Sequence, residues 1–349
     1  MRYLETLNDD PLPWLLGKGD PAVRHLALRE LCDLPAGDPE VTAAQRKAMA
    51  AHPILPILNA QEPEGWWAKP GAGYSPKYRA TVWQLIFLDE LGADGTDRRI
   101  AAAREYVLAH TQAVSGGFAA SGAKSLSPPP PARVLHCLNG NLVAALIGLG
   151  HPLTDPRLQA AIDWQAKAIT GGVDYYPQGT AGPGFLCGAN DGQACAWGAI
   201  KAMNALARIP AAQRSRLARR ALRAGTAFLL SHNPARADYP MGYGNIVPSR
   251  LWFKLGFPLG YSSDIVENLQ VLSDLGYGED PRLADAWQWL LSKQDDRGRF
   301  RNENTFAGRM WTNLDQHSRL PSKWVTLRVC RLLKSRARSV SEPVRVAVG

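Results

Sequence analysis

Apolar positions recur along this chain at spacings of three and four, the period of a helix with one buried face. Nowhere do they settle into the one-in-two alternation of a strand. The first helix is announced by Asp20-Pro21-Ala22-Val23-Arg24, an Asp N-cap with proline at the first helical position. Val23, Leu26, Leu28 and Leu31 supply its apolar stripe, and a second helix from near Pro39 carries the chain to Leu58.

From Gln61 onward a unit repeats. An apolar helix ends in Leu-Gly, a short loop carries an Asp, an amphipathic helix follows, and a glycine-aromatic loop closes the unit. The stops are Leu91-Gly92, Leu149-Gly150, Leu206-Ala207 and Leu275-Gly276, recurring every 57 to 69 residues. That length holds two helices of three to four turns each plus loops. Asp155-Pro156-Arg157-Leu158 and Asp280-Pro281-Arg282-Leu283 begin two of the second helices with the same cap and proline. A pair of this size cannot bury its own apolar faces, so neighbours must stack into a solenoid or a closed ring.

The predicted fold class is therefore all-α, an α/α ring of five to six helix pairs. Residues 1–60 form an N-terminal helical pair, 61–336 the repeats, and 337–349 a disordered tail without apolar periodicity. Two insertions interrupt the repeats. Pro128 to Pro131 cannot be helix and reads as an extended loop across one rim. Asp238–Leu259, rich in glycine, proline and aromatics, reads either as a cavity-lining lid or as a structural plug.

Composition narrows the class without naming a function. Of 349 residues, 46% are apolar and 20% charged, as in soluble globular proteins. No apolar run is long enough for a membrane span, and Arg2 to Leu7 is no signal peptide, so a cytoplasmic location is expected. Five cysteines then imply free thiols or a metal site rather than a disulfide framework. The net charge of +9 is concentrated in Arg214, Arg216, Arg219, Arg220 and Arg223, and in Arg328 through Arg338. On helices these read as solvated faces, or as attraction to an anionic membrane surface or acidic ligand. No basic-aromatic motif or helix-turn-helix spacing accompanies them, so nucleic acid is not an expected partner.

The candidate chemistry lies where the first helix of each pair opens. These openings read Pro76-Lys77-Tyr78-Arg79, Cys137-Leu138-Asn139-Gly140-Asn141, Cys187 through Cys195-Ala196-Trp197, Tyr261-Ser262-Ser263-Asp264, and Lys323-Trp324. In a closed ring they meet at one mouth. Helix N-termini carry partial positive charge and free N–H groups, so a converging set favours an anion.

The loops between pairs carry a resemblance. Ala286-x-x-Trp289-Leu290-x-x-x-Gln294-x-x-x-Gly298-x-Phe300 follows the QW repeat, with Phe at the Trp position and Asp285 where a basic residue is usual. Gln61-x-x-x-Gly65-x-Trp67 and Gln112-x-x-x-Gly116-x-Phe118 repeat its second half, and Gly225-x-x-Phe228-Leu229-x-x-x-Asn233 its first. In such a loop the glutamine amide is expected to pack against the following ring and lock outer helices together. From Leu58 to Lys334 the chain resembles the terpenoid cyclase and protein prenyltransferase superfamily, and within it the short squalene-cyclase-like bacterial proteins.

That resemblance implies an α/α toroid with inner and outer helix rings, and an apolar or prenyl-diphosphate substrate inside. Lys77, Tyr78, Arg79 and Lys323 would hold the anionic end. Trp83, Asn139, Asn141, Trp197, Tyr261 and Trp324 would line the substrate. Cys137, Cys187 and Cys195 would be metal ligands for zinc, although the family's Asp-x-Cys spacing is absent. The Asp-x-Asp-Asp acid of protonation-initiated cyclases is absent too; Asp295-Asp296 lies in an outer loop. Asp264 and Glu267, three apart on one helix, remain as the acid-base pair or as halves of structural ion pairs. A noncatalytic toroid that binds or scaffolds is the alternative from another class. A carbohydrate-active toroid ranks third, because carboxylates on one helix cannot face each other across a sugar.

Overall fold

The computed structural model describes residues 2–176, 181–240, 249–306, 308–315 and 319–341. The N-terminal segment contains α1 (Leu12–Leu15), α2 (Pro21–Leu26) running into a π-helical turn over Ala27–Leu31, α3 (Pro39–Met49) and α4 (Ile54–Asn59). The repeats follow as α5 (Thr81–Glu90), α6 (Arg98–His110), α7 (His136–Gly148), α8 (Pro156–Ile169), α9 (Ala196–Ala207), α10 (Arg216–Leu230), α11 (Ile265–Asp274), α12 (Ala284–Leu291) and α13 (Lys323–Ser341). The fold is all-α apart from a two-stranded hairpin, β1 (Leu186–Cys187) with β2 (Gln193–Ala194), and isolated bridges. Strands of two residues are too short to leave an alternating pattern in the sequence. No described helix is long and apolar enough to cross a membrane.

The odd-numbered helices from α5 are the inner ones. Residues 81–88 of α5 are all buried, as are ten positions of α7. Each packs on the next in the series α5, α7, α9, α11, α13, and α13 packs against α1, α2 and the π-turn. The N-terminal segment also reaches α5: Gly92, just past its end, lies so close to Leu26 that a methyl there would come within 2.5 Å. Gly92, Gly150 and Gly276 hold φ at 70°, 75° and 88°, so each Leu-Gly stop is a left-handed C-terminal cap that only glycine adopts without strain. Aspartates 38, 97, 155 and 264 accept first-turn N–H groups as N-caps, although the sequence marks only Asp155 of these; Asp20, expected to cap α2, makes no capping hydrogen bond and pairs with Lys323 instead.

The glutamine–aromatic loops work differently from expectation. The glutamine amide reaches the next outer helix rather than the ring of its own loop. Gln61 Nε2 donates to Arg99 O at 2.8 Å, in the first turn of α6, and Gln112 Nε2 to Arg157 O at 2.7 Å, in the first turn of α8. Gln294 Oε1 accepts from the Asn8 N–H at 2.7 Å, tying the last loop to the chain start. The rings of Trp67, Phe118 and Phe300 are fully buried. Their backbone N–H groups donate inward, to Thr81 Oγ1 at 3.2 Å, Asn139 Oδ1 at 2.9 Å and Thr326 Oγ1 at 2.9 Å. One loop thus fastens two outer helices with its glutamine and an inner helix with its aromatic residue.

Asn139 is therefore a clamp, and its amide nitrogen is spent on Ala161 O and Gln165 Oε1. Replacing it by Leu strands three buried groups and is expected to cost about 2–4 kcal/mol in urea unfolding. A cost below about 0.5 kcal/mol would show that water replaces the clamp.

Two further boundaries differ from the sequence reading. Helix α13 continues to Ser341, so the expected tail cannot begin at 337; residues 342–349 lie outside the described residues. The described parts of Asp238–Leu259 pack into the core and, through Phe257 and Leu259, also line a cavity between the inner helices. Tyr239, Trp252 and Phe257 are buried, Trp252 Nε1 donates to Pro234 O at 2.8 Å, and Tyr239 OH to Leu229 O at 2.7 Å. Residues 241–248, with Tyr243, lie outside the description.

Candidate functional site

Near the openings of the inner helices, side chains fill the space with one another. Tyr78 stacks on Phe306 at 4.2 Å and tilts against Trp83 at 5.2 Å; Tyr261 meets Trp83 and Trp197 edge-on at 6.5 and 6.0 Å. Burial, and after it the neighbouring Tyr261 hydroxyl, push the Tyr78 hydroxyl well above its usual range. Tyr78 holds φ at 66°, a left-handed conformation rare for an aromatic residue and one that costs energy to maintain. The Lys77 ammonium sits 3.7 Å from the Tyr261 ring centroid, a cation–π contact at the exposed edge of the cluster.

The remaining predicted residues separate. Arg79 lies over Trp311 at 5.5 Å, on the surface. Lys323 Nζ pairs with Asp20 Oδ2 at 2.6 Å, which commits it to the N-terminal segment. Trp324 stacks flat on Phe257 at 4.4 Å.

A large cavity lies toward the other end of the inner helices. It encloses about 640 Å³ and is lined by all five inner helices, chiefly along their C-terminal halves, and by α2 with its π-turn. Of the predicted site residues only Asn141 and Glu267 line it. Asn141 Nδ2 donates to Gly260 O at 2.9 Å, fixing the loop before α11. The apolar wall includes Ile86, Leu149, Phe257, Leu259, Val266 and Val271.

Buried charges surround this cavity, and most are paired. Asp264 caps α11 through the Glu267 N–H at 2.9 Å and takes a bidentate Arg328 at 2.8 and 2.9 Å. With Gly256 N–H also on Oδ2 at 3.3 Å, it is saturated and does not line the cavity. Glu267 Oε1 accepts from Lys201 Nζ at 2.7 Å, a lysine 1% exposed, while its Oε2 is buried without a partner. Asp89 pairs with Arg208 at 2.7 Å.

Glu90 is the exception. No hydrogen bond or ion pair to it is present among the described residues, and its Oε2 is buried without a partner at the cavity wall. Burial pushes its carboxyl up to about 7; the Glu267 and Asp89 charges add to the rise, and Lys201 and Arg328 oppose it. A carboxyl that titrates near neutrality at the wall of a cavity can give or take a proton there.

Sequence reasoning passed over Glu90, Lys201 and Arg328. A signal was present for each. Asp89-Glu90 ends a helix, where the dipole disfavours acids, and Lys201 stands alone in the apolar helix α9. Arg328 was read as part of a solvated basic run, whereas its guanidinium faces Asp264.

The three cysteines come near enough to act on one another's acidity. They do not form a compact three-sulfur ligand set. Among the described residues the one set of three potential ligand atoms within 4.8 Å of one another is Glu105, His151 and Asp155. Arg157 already engages both carboxylates of that set, at 2.9 and 2.6 Å. His136, beside Cys137, is turned away to Gly182 O and Gln165, and burial lowers its ring to about 4.

No protein-family profile matches the chain, and no curated protein matches it in sequence. Among solved structures, the apo type II terpene cyclase MstE from Scytonema is similar over 92% of this chain and 89% of that one, at 15% identity and a TM-score of 0.44. A variant of MstE in complex with its product, merosterolic acid A, aligns over 84% of this chain and 97% of that one, at 13% identity and a TM-score of 0.32. Superpositions this loose assign no role to any residue of this chain.

Proposed function

We propose that the chain is an α/α toroid enzyme of isoprenoid type, which takes a small apolar substrate into the cavity and moves a proton there through Glu90. The observation that carries this reading is the Glu90 carboxyl: unpartnered, desolvated, and facing the cavity. Its acidity suits general acid-base work at neutral pH. Burial holds the proton on Glu90; the Glu267 charge adds to this, and the Lys201 ammonium that pairs with Glu267 opposes it. The apolar wall offers a hydrocarbon its surface, and the aromatic cluster around Trp83 and Tyr261 lies beyond it toward the helix openings.

A neutral hydrocarbon fits better than a prenyl diphosphate. Lys77, Arg79 and Lys323 are outside the cavity, and the cavity's Arg208, Arg328, Arg331 and Lys334 are each paired with a carboxylate. Arg29, held by Leu34 O and with no carboxylate partner among the described residues, is the one cavity cation a diphosphate could take without breaking such a pair. Zinc has no part in the reading.

The test is incubation with squalene, farnesol and farnesyl diphosphate in deuterated water. A substrate is expected to emerge with deuterium on carbon, and Glu90→Gln to lower that rate by about 10²- to 10⁴-fold while still binding. Binding without deuterium uptake in the wild type would make this a toroid that carries its ligand without turnover. Uptake undiminished in Glu90→Gln would remove Glu90 from the chemistry.

A further inference from the structure

The hairpin leading into α9 presents two thiols on one face. Strands β1 and β2 pair antiparallel with Cys187 opposite Gln193. Cys195 continues the second strand, its N–H donating to Phe185 O at 2.9 Å. Residues two apart on a strand share a face, so Cys195 stands diagonally across from Cys187. The two thiols are near enough for each to act on the other's acidity, lowering the pKa of Cys187 and raising that of Cys195.

Their surroundings make them unequal. The Cys195 thiol, and after it the backbone N–H groups of Ala189 and Asn190 in the tight turn that follows, lower the pKa of Cys187 against the desolvation that raises it. Donors beside a sulfur favour the thiolate, and these hold Cys187 down at about 7. Cys195 caps α9, its sulfur accepting the Gly198 N–H at 3.4 Å, and the neighbouring Cys187 sulfur keeps its own proton in place. Cys137 and Cys330 are instead pushed up to about 12 by desolvation. Ala189, Asp191 and Gln193 in the connecting turn are exposed, so the pair lies just under solvent.

We propose that Cys187 and Cys195 are a reversible dithiol–disulfide pair, in which Cys187 reacts with a hydroperoxide and Cys195 resolves the product. The Cys187 thiolate attacks the terminal peroxide oxygen; the O–O bond breaks, leaving a sulfenic acid and an alcohol or water that takes up a proton. Cys195 then loses its proton and attacks the Cys187 sulfur. The S–S bond forms as the S–O bond breaks, and the departing hydroxide takes that proton to become water. Two thiols are oxidised and one peroxide is reduced. A reducing thiol returns the pair to its starting state by exchange.

Peptide mapping tests this. Fully reduced protein is treated with a few equivalents of hydrogen peroxide, alkylated and digested without reductant. Two of the five thiols are expected to be lost, in one linkage joining Cys187 to Cys195, at least roughly tenfold faster than Cys137 is oxidised. Dithiothreitol should restore both. In Cys195→Ser, dimedone is expected to label Cys187; in Cys187→Ser, Cys195 should keep its alkylation. Even loss across all five cysteines, or a dimedone adduct on Cys195 in the Cys187→Ser protein, overturns the assignment. Because the wild-type map decides by itself, a variant that fails to fold leaves the answer intact.

Discussion

Glu90→Gln is expected to make this protein more stable at pH 8 and to leave it almost unchanged at pH 4.5. The folded carboxyl titrates near 7 against an ordinary value of 4.5. Near and below pH 4.5 the proton is on Glu90 in both states, and the group contributes little. As pH rises from 4.5 to 7 the unfolded chain releases the proton while the folded protein retains it, so stability falls. Above 7 the folded protein carries a desolvated charge, a penalty of about 3 kcal/mol at most. The neutral amide has no such charge, so urea unfolding of the variant at pH 8 should show most of that amount as a gain. This is the stability cost that functional acids typically impose on a fold. A variant that is neutral or destabilised at pH 8 would mean that the carboxyl is well solvated through the cavity. Glu90 would then be an ordinary acid, and the proton-transfer reading would lose its basis.

Asp264→Asn is expected to act in the opposite direction and at all pH values above the acid range. Asp264 is fully buried and holds both guanidinium nitrogens of Arg328. The amide keeps the volume and part of the N-cap but leaves Arg328 without its counter-charge in a desolvated position. Breaking one side of a buried pair typically costs about 3–5 kcal/mol, most of it the stranded partner rather than the worth of the pair. The double variant Asp264→Asn, Arg328→Met should therefore be less destabilised than Asp264→Asn alone. If the single substitution costs under about 1 kcal/mol, Arg328 has found Glu267 or Glu90, whose charges already act on it. The Glu90 pH profile would then move with it, which an independent titration of Glu90 would reveal.

These two carboxylates show how far the sequence could be read. Asp264 was legible as an acid or as one half of an ion pair, but its role as the N-cap of α11 came only from the structure. Its partner was not legible, since Arg328 lies 64 residues away on another inner helix. The helix pairs, the Leu-Gly stops and the glutamine–aromatic loops were legible because each is decided within a few turns. Asn139 shows the limit from the other side. Beside Cys137 at a helix opening it looks like a ligand, yet in other pairs a threonine near the helix opening receives the backbone N–H of a buried aromatic residue. Only the repeated contact reveals that its role is to clamp the loop.

The sequence by itself determined an all-α chain built from helix pairs, the places where those helices start and stop, and the set of reactive side chains at their openings. The tertiary structure decided which end of the inner helices stays open. Bulky rings at the helix openings attract and fill the space between them, so Tyr78, Trp83, Trp197 and Tyr261 close on one another. Charged residues farther along the same helices cannot collapse in that way without losing water or a partner. They hold a cavity open around Glu90, and that balance between packing and desolvation is a property of the assembled helices that no single segment encodes.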